Sequence, residues 1–194
     1  RRLPFLLRKF SELSGQDDAL QRINATLIGG RVHHALLFCG PDGVGKHLAA
    51  SHLAQVFVCR DQADPSVACG DCPSCFKCQN TAHPDILVVE PNEKGRITVD
   101  NIRDAAQALH IQALEGAFKV LIIRDADRMN HQAQNALLKT LEEPPGQTKI
   151  ILSCAKPQQL LLTVLSRCQR IDFRRVASAT IAKMLIDKTD VDES

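Results

Sequence analysis

The heptapeptide GPDGVGK, residues 40–46, constrains the fold of this chain more than any other segment. It follows the apolar run of residues 34–39 and precedes a helical pattern, LAASHLAQVF, at residues 48–57. Glycines let the backbone curl so that successive N–H groups and the start of the next helix face phosphate oxygens, and the lysine neutralises the outer phosphates. Because a strand precedes the loop and a helix follows it, the sequence predicts the phosphate-binding loop of a nucleotide-binding domain.

One position of this motif departs from the usual pattern. The predicted nucleotide-binding residues are Gly40, Pro41, Asp42, Gly43, Val44, Gly45, Lys46 and His47. The residue after the lysine is normally Ser or Thr, whose hydroxyl ligates magnesium, whereas imidazole is a poor magnesium ligand. The sequence therefore leaves ATP or ADP open as ligands and does not favour magnesium.

Alternating strand and helix patterns predict the fold class. Apolar runs that predict strands occur at residues 34–39, 85–90, 119–125, 149–155 and 169–173. Most are apolar throughout, as in strands that are buried on both faces. Residues with helical spacing lie between them: Ile102, Ala106 and Leu109 in one segment, and Ala133, Leu137 and Leu141 before Pro144 in another. This order predicts an α/β domain with a central parallel sheet over residues 1–175.

Five of the eight cysteines lie in a long irregular insert at about residues 59–78, and they are Cys59, Cys69, Cys72, Cys75 and Cys78. Two thiolate pairs can surround a tetrahedral zinc ion, so the spacing predicts a structural zinc site. An iron–sulfur ligand run would have a longer last spacing and a following proline. The spacing leaves the fourth ligand open between Cys59 and Cys78. Cys39 and Cys168 have apolar neighbours and are predicted to be small core residues.

A second motif, KVLIIRDADRM at residues 119–129, has the position of a Walker B strand. Such a strand normally ends in an acid that holds magnesium, followed by a carboxylate that orients water. Here Arg124 has the first place and Asp125 the second, a degenerate Walker B motif. A cation in the place of the magnesium ligand disfavours hydrolysis by this chain alone.

Overall charge and hydropathy exclude other classes of function. The chain has 24 Lys and Arg against 22 Asp and Glu, which gives a net charge of +2 and no global field for DNA or membranes. No apolar run reaches the roughly 20 residues of a membrane span, and the first residues lack a signal cleavage site, so we expect a cytoplasmic protein. Local phosphate contacts remain open for residues 92–96 and 174–175.

Four segments together resemble the AAA+ domain of bacterial DNA polymerase III clamp-loader subunits. They are HHALLFCGPDGVGK, the cysteine insert followed by HPD, NALLKTLEEPP and LSRC, and the likeness covers residues 5–176. His47 and Arg124 make the chain similar to the delta-prime branch of the family, which often lacks working ATPase parts, rather than to the gamma or tau branch.

The resemblance implies roles for several residues. Cys59, Cys69, Cys72 and Cys75 match the zinc ligands of the family, which leaves Cys78 as an extra thiol. Arg167 in LSRC matches the arginine finger, a catalytic residue that acts in the nucleotide site of the neighbouring subunit. Residues 153–156 have the place of a phosphate-sensing polar residue. Residues 176–194 are expected to form the first part of a helical lid, of which this chain holds only the beginning.

The function expected from this resemblance is that of a delta-prime subunit, a non-hydrolysing or weakly hydrolysing part of a DNA polymerase holoenzyme. Its expected partners are the gamma or tau and delta subunits and, through the complex, the sliding clamp and primed DNA. Two alternatives remain. One is an active gamma or tau ATPase in which Asp125 or Asp127 holds magnesium, and the other is a zinc-containing nucleic-acid-binding module with a relic phosphate loop.

Overall fold

The structure, a computed structural model, describes Leu13 and residues 15–176. Its strands are β1 (Ala35–Cys39), β2 (Ile86–Val89), β3 (Lys119–Ile123), β4 (Thr148–Cys154) and β5 (Gln169–Asp172). Its helices are α1 (Asp17–Ile28), α2 (Lys46–Val58), α3 (Pro73–Gln79), α4 (Val99–Leu109), α5 (His131–Glu142) and α6 (Leu162–Leu165), with short 3₁₀ turns at Ala126–Arg128 and Pro157–Gln159.

The five strands form one sheet in the order β2-β3-β4-β1-β5, and every pair of neighbours is parallel. All five predicted strands and the parallel arrangement are confirmed, with ends that differ by no more than two residues. In an open parallel sheet, ligands bind at the carboxyl ends of the strands. The loops that follow β1, β3 and β4 therefore meet at one edge, where the phosphate loop lies.

Helices cover both faces of the sheet. Along β1, Leu36 and Phe38 pack into a core shared with α1 and α2, whereas Leu37 and Cys39 pack into a core shared with α4 and α5. Burial on both faces explains why this strand is apolar at every position instead of alternating. The predicted core role of Cys39 is confirmed, and Cys168 is partly buried against the second core.

The buried stripe of α4 differs from the prediction at one position. Ile102, Ala105 and Leu109 are buried, whereas Ala106 is only partly buried. In a helix with 3.6 residues per turn, neighbours on one face are either three or four positions apart, and the sequence does not choose between these spacings. Packing of α4 against the core buries Ala105 instead.

The predicted stripe of α5 is confirmed, since Ala133, Leu137 and Leu141 are all buried. The helix ends at Glu142, two residues before Pro144. Proline disfavours the helical conformation of the residue before it and has no N–H to donate, so a helix usually stops here. The proline pair therefore explains why Glu142 is the last residue of α5.

Asp85 fastens the loop after α4 to the start of β2. Its carboxylate is fully buried and accepts hydrogen bonds from the backbone N–H groups of Leu114, Glu115 and Gly116, over 2.7, 2.8 and 2.8 Å. Burial raises the pKa of this carboxyl, but the three N–H donors outweigh burial and hold the pKa below the usual 3.8. The HPD motif thus has a structural role.

We expect Asp85→Asn to lower the free energy of unfolding by about 2 kcal/mol at neutral pH, because a charge-assisted acceptor becomes a neutral one. In the native protein the contribution of Asp85 is complete above its unfolded pKa and is lost as pH falls through its lower folded pKa. The free energy of unfolding, measured by denaturation from neutral pH down to about pH 3, should therefore fall less steeply with acid for the variant than for the native protein. Asp104→Asn, an exposed change on α4, is the matched control. Equal acid dependence of the variant and the native chain would contradict this role.

The predicted helical lid, residues 176–194, lies outside the described residues except for Val176. Within the described part of the chain, every helix is too short or too polar to cross a membrane.

Candidate functional site

The phosphate loop, residues 40–46, joins the end of β1 to the start of α2. A Cβ atom at Gly40 would lie 2.3 Å from the carbonyl oxygen of Phe173, and one at Gly45 would lie 2.5 Å from Cδ2 of Leu13. Gly45 also has a φ of 97°, which side chains disfavour. The curled loop thus requires glycine at both positions. Because α2 begins without a side-chain cap, its first N–H groups are left to bind an anion.

The side chain of Lys46 is turned back onto this loop. Its Nζ donates hydrogen bonds to the carbonyl oxygens of Gly40 and Pro41, over 2.6 and 2.7 Å, and lies 3.7 Å from Asp42. The residue is only 3% exposed. These contacts satisfy the ammonium group inside the loop, so a bound phosphate has to replace them before the lysine can neutralise it.

A closed ring of hydrogen bonds joins His47, Asp125 and Ser153 beside the loop. Nε2 of His47 lies 3.2 Å from Oδ1 of Asp125, and its Nδ1 lies 3.4 Å from Oγ of Ser153. The backbone N–H of Asp125 donates to the same Oγ over 3.3 Å. Burial lowers the pKa of His47 below the usual 6.5 and outweighs the opposite effect of Asp125. We therefore assign a neutral imidazole that donates from Nε2 and accepts at Nδ1.

The hydrogen-bond ring unites three places that the sequence predicted separately. They are the position after the lysine of the phosphate loop, the degenerate Walker B motif, and residues 153–156 at the end of β4. Of the first two residues of that stretch, Ser153 faces the ring, whereas Cys154 lies in the core with its Sγ 3.5 Å from Sγ of Cys39. Alternation along β4 decided between them, because successive side chains point to opposite faces.

Arg124 points away from the hydrogen-bond ring. Its Nη1 donates to Oε2 of Glu90 over 3.1 Å, on the β2 side of β3, whereas the phosphate loop lies on the opposite side at β1. The next residue, Asp125, has a φ of 49°, a left-handed conformation that is uncommon outside glycine. This turn directs Asp125 toward His47. Asp127 has a different partner, since its Oδ1 accepts the N–H of Ala155 over 3.2 Å.

Gln16 is a residue of the site that sequence analysis missed. It is buried, and its Nε2 donates to the carbonyl oxygens of Val44 over 3.2 Å and of Arg174 over 2.7 Å. Its Oε1 accepts the N–H of Arg174 over 3.0 Å. The side chain thus connects the phosphate loop to the segment after β5. No local pattern could indicate this role, because the partners are 28 and 158 residues away.

Cys59, Cys69, Cys72 and Cys75 form one cluster, with all four sulfur atoms within 4.8 Å of one another. Sγ of Cys69 lies 3.6 Å from Sγ of Cys59 and 3.9 Å from Sγ of Cys75. A zinc ion with four sulfur ligands at about 2.3 Å in tetrahedral geometry separates neighbouring sulfurs by about 3.8 Å. The residues present therefore fit a zinc ion.

Backbone N–H groups support negative charge on these sulfurs. The N–H groups of Cys69, Cys72 and Cys75 approach the sulfurs of Cys59, Cys69 and Cys72, over 3.3, 3.4 and 3.5 Å. Cys78 lies outside the cluster, and burial raises the pKa of its thiol to about 12. Between the two candidates that spacing left open, the structure places Cys59, at the end of α2, beside the other three.

The cysteine insert is also anchored to the rest of the domain. Cys72 caps α3, because its side chain accepts the N–H of Cys75. Lys77 on α3 forms an ion pair with Glu115, in the loop that Asp85 holds. The cluster, α3 and the start of β2 are therefore connected by polar contacts as well as by the core.

Arg167 lies just after α6, and its side chain is 34% exposed. Nη2 lies 2.6 Å from Oε1 of Glu142, and Nη1 donates to the carbonyl oxygen of Thr163 over 2.9 Å. Among the described residues it makes no hydrogen bond to its own phosphate loop. The predicted finger is thus placed at the surface, held by neighbours on α5 and α6.

The basic residues proposed for local phosphate contacts lie at the surface. Arg174 is exposed, and its Nη1 lies 3.3 Å from Oδ2 of Asp18. Lys94, Arg96 and Arg175 are exposed as well. Pairing of surface cations with nearby acids is ordinary, so these contacts do not distinguish a nucleic-acid surface.

Comparison with known proteins adds an independent finding. A family model described as "DNA polymerase III, delta subunit" matches residues 15–177. The delta' subunit of DNA polymerase III from Pseudomonas aeruginosa is 42% identical over 144 residues, which are 73% of this chain and 44% of that protein. The tau subunit of DNA polymerase III from Bacillus subtilis is 32% identical over 189 residues, which are 97% of this chain and 33% of that protein.

A solved structure is similar as well. The DNA polymerase III gamma subunit-related protein from Thermotoga maritima has a TM-score of 0.60 and 25% identity, over 84% of this chain and 47% of that one. The chain therefore spans less than half the length of each of these relatives.

Proposed function

This chain belongs to the DNA polymerase III delta subunit family, and we propose that it is a delta-prime-like clamp-loader subunit with little or no ATPase activity of its own. The observation that carries this proposal is the hydrogen-bond ring of His47, Asp125 and Ser153 at the place where magnesium chemistry would occur. Each of its three side chains has a partner within the ring.

The chemistry of magnesium supports this proposal. Magnesium demands octahedral oxygen ligands at about 2.0–2.1 Å and binds imidazole poorly. Position 47 supplies imidazole, and the carboxylate of Asp125 is already bonded to it. Arg124 supplies no oxygen and is paired with Glu90. A nucleotide in this site would lack the metal that neutralises charge on the transferred phosphate.

The loop can still hold a nucleotide passively. Its glycines keep the curled shape, and the start of α2 presents N–H groups to an anion. Lys46 would contribute only after leaving the carbonyl oxygens of Gly40 and Pro41. We propose weak binding of ATP or ADP that does not depend on magnesium.

The test is phosphate release by the purified protein with saturating ATP and magnesium. We expect a rate far below the value of about 1 s⁻¹ at the low end of working enzymes. Lys46→Ala is the control, because a residual rate that survives this change comes from a contaminant. A parallel binding titration should give the same ATP affinity with magnesium and with a chelator. Magnesium-dependent turnover near 1 s⁻¹ that disappears in Lys46→Ala would overturn the proposal.

The proposed contribution of the subunit is made in trans. Arg167 would enter the nucleotide site of a neighbouring gamma or tau subunit, where a planar guanidinium stabilises charge on the transferred phosphate. The delta subunit, the sliding clamp and primed DNA are the further proposed partners in the cytoplasm. Zinc would have a structural role in the cysteine cluster and no part in catalysis.

One alternative within the family is an active gamma- or tau-like ATPase, because Asp125 faces the phosphate loop. For that function, Asp125 would have to leave His47 and bind magnesium. It would do so without help from position 47, where histidine replaces the usual Ser or Thr hydroxyl. The phosphate release experiment separates the two functions.

A further inference from the structure

Among the described residues, the shortest polar contact of the Arg167 guanidinium is its ion pair with Glu142, at 2.6 Å between Oε1 and Nη2. We propose that Glu142 is a positioning residue, which holds Arg167 in the conformation that enters the neighbouring nucleotide site. This inference rests on the proposed function, since it assumes that Arg167 acts in trans. Glu142 itself would not touch the phosphate.

The guanidinium is fixed on one side and free on the other. Glu142 contacts Nη2, while the carbonyl oxygen of Thr163 and Oγ of Ser166 contact Nη1, over 2.9 and 3.4 Å. Among the described residues, Nε forms no hydrogen bond or ion pair, and Nη2 carries a second N–H. Those donors are available for a phosphate oxygen while the other contacts hold the plane of the group.

Contacts other than the ion pair hold helix α5, which carries Glu142, in place. Leu137 and Leu141 bury the same end of α5 in the core. Gln134 ties α5 to the segment before α6, because its Nε2 donates to the carbonyl oxygen of Gln159 and its Oε1 accepts the N–H of Leu161. A change at Glu142 should therefore alter the order of the arginine without moving the backbone.

The expected gain comes from ordering a flexible side chain before the neighbouring subunit docks. Arginine has several rotatable bonds, and an unrestrained side chain loses that freedom when it reaches a phosphate. A single partly exposed ion pair has a modest effect, corresponding to about twofold to fivefold in a rate. The effect should appear in kcat of the neighbouring ATPase rather than in its KM, because the finger acts on the transition state.

The experiment measures steady-state ATP hydrolysis by the reconstituted ring with this subunit native, Glu142→Gln or Glu143→Gln. We expect Glu142→Gln to lower kcat by about twofold to fivefold with KM unchanged. Glu143 is exposed and has no ion pair among the described residues, so Glu143→Gln is the matched control. Thermal unfolding of the two variants should be alike.

Arg167→Ala and the double variant complete the test. If the glutamate acts through the arginine, Glu142→Gln has no further effect in the Arg167→Ala background. If Arg167→Ala slows the ring but Glu142→Gln matches Glu143→Gln, the positioning role is wrong and the finger role stands. If Arg167→Ala leaves the rate unchanged, the finger role fails and the positioning role fails with it.

Discussion

Replacing Cys75 with serine is expected to abolish zinc binding and to unfold residues 59–79 locally. Cys75 is fully buried within the cluster, and its sulfur is 3.9 Å from that of Cys69. Structural zinc contributes apparent binding free energies of about 10–16 kcal/mol at neutral pH, which is folding free energy where no site exists in the unfolded chain. The seven-residue helix α3 is too short to be stable alone. Zinc content per chain and limited proteolysis of the insert measure the two effects.

Cys78→Ser is the matched control for this prediction. Its thiol is buried within the same insert but lies outside the cluster, so this variant should keep one zinc ion per chain. Loss of zinc from Cys78→Ser with retention in Cys59→Ser would contradict the ligand set that we propose. Protease resistance of Cys75→Ser equal to that of the native chain would show that the insert folds without the metal.

Replacing Arg167 with alanine is expected to slow ATP hydrolysis by the neighbouring subunit about 10³-fold to 10⁵-fold, the range for arginine fingers in other NTPases. Lysine should not restore the rate, because an ammonium group lacks the planar set of donors. The side chain is partly exposed and follows the short helix α6, so its removal should leave this domain folded. Single-turnover hydrolysis in the reconstituted ring measures the effect.

Arg170→Ala is the matched control for the finger. It removes another partly exposed arginine only three positions away, one that is paired with Asp172 on β5. We expect the control ring to hydrolyse ATP at the native rate. Equal rates for the Arg167→Ala, Arg170→Ala and native rings would remove the catalytic role of Arg167.

Much of the fold follows from local patterns in the sequence. Four of the five strands were predictable because each lies in a short apolar run between polar segments, and β1 is apolar throughout because both of its faces are buried. The phosphate loop was predictable because its backbone requires glycine at Gly40 and Gly45. These features depend on neighbours in the chain, and so the sequence displays them.

The site was less predictable, because its contacts join distant segments. Sequence placed Arg124 where a magnesium ligand belongs, but it could not say that Arg124 pairs with Glu90 and that Asp125 turns toward His47. The choice of Ser153 over Cys154 likewise required the register of β4 beside β1.

The sequence by itself determined that the chain is a parallel α/β domain with a phosphate loop, a cysteine cluster and no usual magnesium ligand at positions 47 and 124. Only the tertiary structure decided that Lys46 is bonded to its own loop, that His47 is part of a hydrogen-bond ring, and that Cys59 lies with the other ligands. The physical reason is the separation along the chain over which each effect acts. Glycine curvature and apolar periodicity act over a few residues, whereas hydrogen bonds, thiol clusters and ion pairs depend on where the sheet brings distant side chains together.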